Sequence, residues 1–539
     1  MNFEPLVDSA TQIALDTGWL REELEPVSAY GARAFTEMHP YVPGEERQAA
    51  DAAKRIASLA AQCDRAHLDA MRSTLASTPE ISDATARASM GATLEDADFL
   101  EVLRFLDAYR RAQEQSSASD GWALSPSASV DALLVVLEPG RSGGYGFFLA
   151  DGYDARLTQA RARAIESSDR FDAERARIAR RIAADLHREH LEDDEFVVMR
   201  EDLPKGLPQG VRAIREAATY VLCAIDLDEA ALAARTARDG AQGALCEVED
   251  AARASISRAV RDQTPGLRKA MHAFGAFDML VAAVRFCAIH RCVAAEISQE
   301  PALAFTDGRF LPVAQSVEAQ GGTYKPISLD VRAAAVLTGP NMGGKSVALR
   351  TCAGIALLAA FGLPVPAASA RVALFASIAW LGIGTESERA TLLSSFAQEV
   401  VRLRELLERG STPALMVVDE FARTTTPQEG TALLVALIGE LKAKDHIALF
   451  ATHLPGIARL AGVRHFAVRG LRDVPRTPPH GDVNEALRAL GDSMDYSIVE
   501  VTNTRSVQGD AIALAELLGL DGRIIASARK ALHAPVEDQ

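Results

Sequence analysis

The stretch TGPNMGGKS, residues 338–346, constrains the fold of this 539-residue chain more than any other. It follows an apolar run at 331–337 and opens a helical stretch, so the sequence predicts a strand, a glycine-rich loop and a helix in that order. In such a loop the backbone N–H groups point inward, and the start of the helix favours negative charge. The spacing therefore predicts a phosphate-binding loop and disfavours an ordinary glycine-rich turn.

Each position of the loop has an expected role toward a nucleotide. Lys345 would reach the outer phosphates, and the hydroxyl of Ser346 is a candidate ligand for Mg²⁺. The residues predicted to contact the nucleotide are Gly339, Pro340, Asn341, Met342, Gly343, Gly344, Lys345, Ser346 and Val347. ATP and Mg²⁺ are the cofactors that this pattern predicts.

Three short apolar runs alternate with helical stretches in the C-terminal part of the chain. They are 331–337, 414–419 and 446–452, and each ends in polar residues. This pattern is typical of buried parallel strands in an α/β domain. Since parallel sheets bind ligands at the carboxyl ends of their strands, polar residues at these three ends could share one cleft.

Two of these strand ends carry candidate catalytic residues. Asp419 is expected to hold the Mg²⁺ shell, and Glu420 to polarise the attacking water. His453, in the string FATH at 450–453, could contact the γ-phosphate or the attacking water. Alone, the acidic pair could be a solvated turn and His453 a helix cap or strand-end residue.

The N-terminal half predicts mostly helices. Apolar residues recur at helical spacing in 45–63 and 95–113, whereas 130–139 and 145–150 are expected to be short strands or a hairpin. Two long charged helices are predicted at about 154–191 and 227–260, as an exposed antiparallel pair or lever. The segment 192–210 joins them.

At this point the chain resembles the MutS-type ATPases, which are relatives of the ABC ATPases. The resemblance rests on TGPNMGGKS (338–346), VVDEFARTTTPQEG (417–430), FATH (450–453) and GTESERATLLSSFAQE (384–399). It implies an ABC-type P-loop ATPase domain at 326–539, preceded by a mostly α-helical core and lever domain at 1–325. It also implies a homodimer in which Ser394 completes the partner's nucleotide site; alternatively, Ser394 is a helix-capping serine.

The chain departs from the family pattern at two places. After the acidic pair the family usually has a glycine-arginine-glycine-threonine-serine run, whereas this chain has residues 422–426, Ala-Arg-Thr-Thr-Thr. Before the partner-site serine it has Leu392 and Leu393 in place of glycine and arginine. These departures bear on coupling across a dimer more than on ATP binding.

The resemblance also indicates parts that are missing. Phe35-Thr36-Glu37 superficially matches the mismatch-reading Phe-x-Glu motif, but its setting resembles the opening of the core domain, so we expect it to serve helix packing. The mismatch-reading and connector domains are expected to be absent. The clamp between the lever helices is expected to be reduced to 192–210, which opens with four acidic residues.

The net charge of the chain affects which partners it can bind. The net charge of −16 disfavours nonspecific binding to nucleic acid, although the arm from Arg156 to Arg188 contains nine arginines. The start of the chain shows no export signal, the six cysteines have no metal-ligand spacing, and no apolar run reaches bilayer length. We expect a cytoplasmic chain without a membrane partner.

Three functions fit the sequence. The first is a MutS-family ATPase that couples its ATP state to lever movement and binds DNA structures other than mismatches. The second is an ATP-dependent reactivating factor for an adenosylcobalamin-dependent amino acid mutase, such as a lysine or ornithine aminomutase, which the acidic tip favours. The third, a module that binds nucleotide without hydrolysis, is disfavoured by Glu420.

Overall fold

The structure is a computed structural model of the chain. It describes residues 1–4, 6–117, 122, 124–143, 146–191, 193–203, 206–340, 344–382, 395–408, 413–444, 446–471, 494–501, 512, 515–516 and 520–532.

The helices within the described residues are α1 (Ser9–Ala14), α2 (Thr17–Glu23), α3 (Ala29–Glu37), α4 (Glu46–Gln62), α5 (Arg65–Ala76), α6 (Ser82–Ser89), α7 (Asp96–Ser117), α8 (Ala128–Leu137), α9 (Leu157–Asp185), α10 (Glu229–His290), α11 (Leu311–Ala319), α12 (Lys345–Ala360), α13 (Ser395–Glu408), α14 (Pro427–Ala443), α15 (Ile457–Ala461) and α16 (Gly522–Leu532). The strands are β1 (Arg141–Ser142), β2 (Gly146–Phe147), β3 (Glu195–Met199), β4 (Val211–Glu216), β5 (Tyr220–Ile225), β6 (Glu296–Ser298), β7 (Leu303–Gly308), β8 (Ile327–Val331), β9 (Ala335–Thr338), β10 (Ser369–Ala373), β11 (Ser377–Gly382), β12 (Ala414–Asp419), β13 (Ile447–Ala451), β14 (Arg464–Leu471) and β15 (Met494–Glu500).

The chain folds into two compact units. Unit 1 comprises Met1–Ala76, Ala112–Leu124 and His272–Gln539, and unit 2 comprises Ser77–Arg111 and Ser125–Met271. Helices α1 to α5 therefore belong to the same compact unit as the C-terminal sheets. The functional division at residue 325 that the sequence suggests stays a prediction.

A six-stranded sheet organises unit 1, with the strand order β11-β12-β13-β9-β14-β15. The first five strands are parallel, and β15 pairs antiparallel with β14. The three predicted strands are thus neighbours, because β12, β13 and β9 lie side by side. Their carboxyl ends meet at one edge of the sheet, as the sequence predicts for an α/β domain.

The core of this sheet is apolar. Side chains of β9, β11, β12 and β13 pack with those of α14 and α15 in one buried cluster, against which apolar residues of α13 also pack. Helix α12 is buried around most of its surface, since Leu349, Ala353 and Ile355 are each at most 1% exposed. A second sheet, of order β6-β10-β7-β8, lies in the same unit.

The N-terminal segment covers the edge strand of the six-stranded sheet. Leu6 accepts a hydrogen bond from the N–H of Ile378 on β11, at 2.9 Å. The Thr11 hydroxyl accepts another from the N–H of Trp380, at 3.0 Å. Asp8 caps α1 and forms an ion pair with Arg402 of α13. These contacts fix α13 to the start of the chain.

In unit 2, the expectation of strands at 130–139 is wrong, because Ala128–Leu137 is helix α8. Ser127 caps the helix and Asp131 lies in its first turn, both of which favour a helix start. The buried residues Val130, Leu133 and Leu137 have helical spacing. Part of the hairpin expectation is confirmed, since β1 and β2 pair antiparallel just after α8.

The second predicted lever helix extends further than expected. Helix α10 runs for 62 residues, from Glu229 to His290, with Pro265 inside it. It is also the described helix that contains a stretch long and apolar enough to cross a membrane, but 56% of that stretch is buried inside the protein, as in a core helix. The first lever helix, α9, is close to its predicted bounds.

The segment between α9 and α10 is a folded sheet. Strands β3 and β4 each pair antiparallel with β5, in the order β3-β5-β4. Phe196, Val198 and Cys223 lie on its buried face, against Ile178 and Ile182 of α9. The expected short acidic connection therefore belongs to a three-stranded sheet that packs its apolar face against α9.

Candidate functional site

The predicted phosphate loop leaves the end of β9 and enters α12. Lys345, the first residue of α12, is 5% exposed, and its ammonium donates to the carbonyl oxygens of Gly339 and Pro340, both at 3.0 Å. Burial lowers the pKa of Lys345, while the charges of Glu420 and Asp419 oppose this shift. An ammonium has three N–H donors, and no described residue engages the third.

Gly344 shapes the entry into α12. It adopts the left-handed conformation, with φ of 80°. A Cβ at this position would lie 2.9 Å from a ring carbon of Tyr496, on β15. Glycine adopts this φ readily and has no side chain to collide with the ring. The position therefore explains why the second of the two adjacent glycines in the motif is a glycine.

The two predicted magnesium ligands lie together. Asp419 ends β12, and the side chain of Ser346, in the first turn of α12, lies close enough to its carboxyl to lower the pKa. Burial raises the pKa of Asp419, and the charge of Glu420 adds to the shift, whereas Ser346 and Lys345 oppose it. A hydroxyl and a carboxylate are the oxygen donors that Mg²⁺ prefers, so this donor set fits the ion.

Glu420 and His453 are in direct contact. The Glu420 Oε1 lies 2.6 Å from the His453 Nε2, and the Glu420 Oε2 accepts a hydrogen bond from Arg423 at 3.2 Å. The Glu420 side chain is 20% exposed and that of His453 is 40% exposed. The Glu420 carboxylate is thus held between two basic side chains, His453 and Arg423.

A residue that the sequence reasoning missed holds the turn after Glu420. Glu399, on α13, accepts a hydrogen bond from the backbone N–H of Ala422 at 2.9 Å. Burial raises the pKa of Glu399, and this hydrogen bond opposes the shift. The sequence carries no signal for the contact, because an acidic residue on an amphipathic helix is an ordinary solvent-facing residue.

Several predicted site residues have no described geometry. Asn341, Met342, Gly343 and Ser394 lie outside the described residues, as do Leu392 and Leu393. Val347 lies in α12, where its carbonyl accepts a hydrogen bond from the Thr351 hydroxyl at 2.8 Å. The roles assigned to all the site residues stay predictions.

The C-terminal part of the chain matches a known family. Residues 335–534 match the family model for MutS domain V. This range begins with β9 and includes Lys345, Asp419 and Glu420.

Curated relatives match over the same half. A DNA mismatch repair protein MutS of Anaeromyxobacter dehalogenans (strain 2CP-C) is 31% identical over 293 residues, which cover 52% of this chain and 31% of that protein. Another, of Rhodopseudomonas palustris (strain HaA2), is 32% identical over 234 residues, 42% of this chain and 25% of that protein. An Endonuclease MutS2 of Geobacillus thermodenitrificans (strain NG80-2) is 28% identical over 285 residues, 52% of this chain and 33% of that protein. The chain spans a third or less of the length of these three relatives.

Proposed function

The chain is a MutS-family protein through its domain V at residues 335–534, and on that premise we propose that it binds ATP with Mg²⁺ and hydrolyses it. The single observation that best supports this proposal is the meeting of Lys345 and Ser346, in the first turn of α12, with Asp419 and Glu420, at the carboxyl end of β12. A cation, two oxygen ligands and a separate carboxylate are the side chains that phosphoryl transfer to water needs.

The proposed reaction divides the work among these residues. Lys345 would offset the charge of the outer phosphates with its third N–H, while the backbone of the loop donates to their oxygens. Ser346 and Asp419 would hold Mg²⁺, which supplies charge neutralisation at the phosphates when bound. Glu420 would orient the attacking water and accept its proton, and His453 would sense the γ-phosphate and hold Glu420 in place through their contact.

Phosphate release from ATP by the purified chain tests this proposal. We expect turnover with Mg²⁺ and none when EDTA removes the ion, because the ion neutralises the charge that develops on the phosphates. Binding of a fluorescent ATP analogue, measured in parallel, separates loss of binding from loss of hydrolysis. A folded chain that neither binds the analogue nor releases phosphate would contradict the proposal.

We further propose that two copies of the chain act together. The resemblance implies that Ser394 completes the nucleotide site of a partner, and that the ATP state moves the lever helices α9 and α10. Light scattering measures the molar mass of the chain in two states and so tests the proposal. The two states are the parent with ADP and the Glu420→Gln variant with ATP, which the variant is expected to bind without hydrolysing it. A dimer that forms only with ATP supports it, whereas a monomer under every condition counts against it.

The target of the ATP cycle has two candidates, and the first is DNA. The arginine-bearing arm motivates it, with binding to branched or duplex structures as the expected activity. However, seven of the nine arm arginines engage acceptors of the chain itself. Arg161 pairs with Asp151, and Arg177 with Asp228. The other five are Arg156, Arg175, Arg180, Arg181 and Arg188.

A protein client is the second candidate, and the sheet at the tip of the lever favours it. Residues 192–226 carry eight acidic and four basic residues, which would repel phosphates. On the outer face of this sheet Val197, Met199, Ile214 and Tyr220 are each more than a third exposed. Apolar side chains within an acidic surface are suited to contact with a protein. An adenosylcobalamin-dependent amino acid mutase is the client class proposed.

Two experiments discriminate between the candidates. Retention of branched DNA that falls steeply between about 50 and 200 mM salt would support the first, because each neutralised phosphate releases counterions. ATP-dependent recovery of an inactivated aminomutase would support the second. A Val197→Asp variant should lose the recovery and keep ATP hydrolysis if the tip sheet contacts the client.

A further inference from the structure

The turn that follows the catalytic carboxylate has an unusual backbone. Glu420 has φ of 57° and Ala422 has φ of 62°. Both residues carry a Cβ, so the left-handed conformation costs free energy at each. Two such residues within three positions persist only when the surrounding structure holds them. The contacts of this turn therefore decide where the Glu420 carboxylate lies.

One strand contact holds the first of these residues. The Glu420 N–H donates to the carbonyl of Ala451 at 3.0 Å, which extends the pairing of β12 with β13 beyond Asp419. This contact fixes the backbone of Glu420 itself. It leaves the conformation of Ala422 to be set by other contacts.

Helix α13 supplies these other contacts. The carboxylate of Glu399 accepts the N–H of Ala422 at 2.9 Å, and the rings of Phe396 and Phe421 pack with their centroids 6.4 Å apart. The same helix is fixed to the N-terminal segment by the partly buried ion pair of Arg402 with Asp8. The turn thus rests on a helix that is itself anchored at a second point.

We propose that Glu399 is a positioning residue for ATP hydrolysis: its carboxylate holds Ala422 in the left-handed conformation and thereby keeps Glu420 oriented toward the attacking water. Glu399 does not touch the nucleotide in this assignment and acts through the turn. The assignment rests on the proposed ATPase function. It adds a residue from α13 to a site otherwise built from the ends of β9, β12 and β13 and the start of α12.

Four variants test the assignment, and kcat and KM for ATP hydrolysis are measured separately for each. In Glu399→Ala we expect kcat to fall about tenfold, the range for losing one hydrogen bond that orders a catalytic group, while KM stays within about twofold. In Glu399→Gln the amide oxygen still accepts the Ala422 N–H, so kcat stays within about threefold. The control Glu405→Ala removes an exposed carboxylate from the same helix and leaves kcat unchanged.

The fourth variant is a rescue. In Glu399→Ala/Ala422→Gly, glycine adopts the left-handed conformation without the cost that alanine carries, so the turn no longer needs the carboxylate. We expect the double variant to recover at least half of the kcat that Glu399→Ala loses relative to the parent. A role of Glu399 in the stability of α13 alone would not be rescued at residue 422, and thermal unfolding of each variant shows whether the helix is intact.

The outcomes separate the two proposals. If the parent hydrolyses ATP and Glu399→Ala retains the parental kcat, the assignment of Glu399 is overturned and the ATPase function stands. If Glu399→Gln is as slow as Glu399→Ala, or the glycine gives no rescue, the mechanism through the turn is overturned. If the parent binds no ATP, both proposals fall.

Discussion

The Nε2 of His453 lies 2.6 Å from the Oε1 of Glu420, and each residue follows a different strand of the parallel sheet. Strands β12 and β13 are hydrogen-bonded neighbours, so their carboxyl ends bring the two side chains to one point. This contact joins two candidate residues that are 33 positions apart in sequence. It couples the proposed base to the proposed phosphate sensor.

Replacement of the proposed base should separate binding from hydrolysis. We expect Glu420→Gln to lower kcat by at least about 100-fold, because an amide cannot accept the proton of the attacking water. Affinity for a fluorescent ATP analogue should change by less than about threefold, since the glutamate is not a predicted phosphate ligand. Glu440→Gln, on the exposed face of α14, is the matched control. Parental hydrolysis by Glu420→Gln would assign the base elsewhere.

Loss of Lys345 should weaken the binding of ATP. In Lys345→Ala the affinity for ATP is expected to fall by about 30-fold or more, as expected when a charge-assisted contact to the phosphates is removed. Fluorescence titration with the analogue measures it. Lys444→Ala, which removes an exposed lysine that pairs with Glu440, should bind as the parent does. Equal affinity of the two variants would show that the loop does not bind the phosphates.

The pH dependence of stability should report on Asp419. Its pKa in the folded protein is raised by burial, so the folded state binds the proton more tightly than the unfolded state. The resulting stability is present in acid, below the unfolded pKa, and is lost as pH rises through the folded pKa. At pH 7 without nucleotide, Asp419→Asn should therefore unfold at a higher temperature than the parent.

The difference in unfolding temperature between the parent and Asp419→Asn tests whether burial of the Asp419 carboxyl is the cause. Thermal unfolding of both, from pH 4 to pH 7, should show the gap narrowing as the pH falls, because the parental carboxyl becomes protonated. With Mg²⁺ and ATP the order at pH 7 should reverse, since the ion stabilises only the carboxylate. A gap that stays constant across the pH range would contradict the assigned cause.

The ion pair between the N-terminal segment and α13 should contribute to stability. Arg402 and Asp8 have side chains only 14% and 9% exposed, so removing one partner leaves the other charge buried. Arg402→Met keeps the packing and is expected to lower the free energy of unfolding by about 3 kcal/mol. Urea denaturation measures it.

The same helix offers a matched control for that prediction. Arg404 pairs with Glu408 one turn further on, but both side chains are about two-thirds exposed. Arg404→Met should therefore cost about 0.5 kcal/mol or less. If the two variants lose equal stability, burial of the Arg402 pair is not the reason for its contribution.

The sequence by itself determined the nucleotide-binding half. A phosphate loop is local, because its glycines, lysine and serine lie within a few residues and lead directly into a helix. The apolar runs before it, before Asp419 and before His453 are short and continuous, as in buried strands, and parallel pairing places their carboxyl ends at one edge of the sheet. A similar apolar run led to the wrong prediction of a strand at 130–139, where the Val and Leu residues form helix α8.

Only the tertiary structure decided the remaining relationships. Glu399 and Ala422 are 23 positions apart, and Asp8 and Arg402 are 394 apart. No pattern in either segment specifies its partner, because burial and the left-handed conformation at residue 422 arise only when distant elements pack. Local chemistry therefore indicated which residues are candidates for nucleotide binding, and long-range packing decided which distant residues contact them.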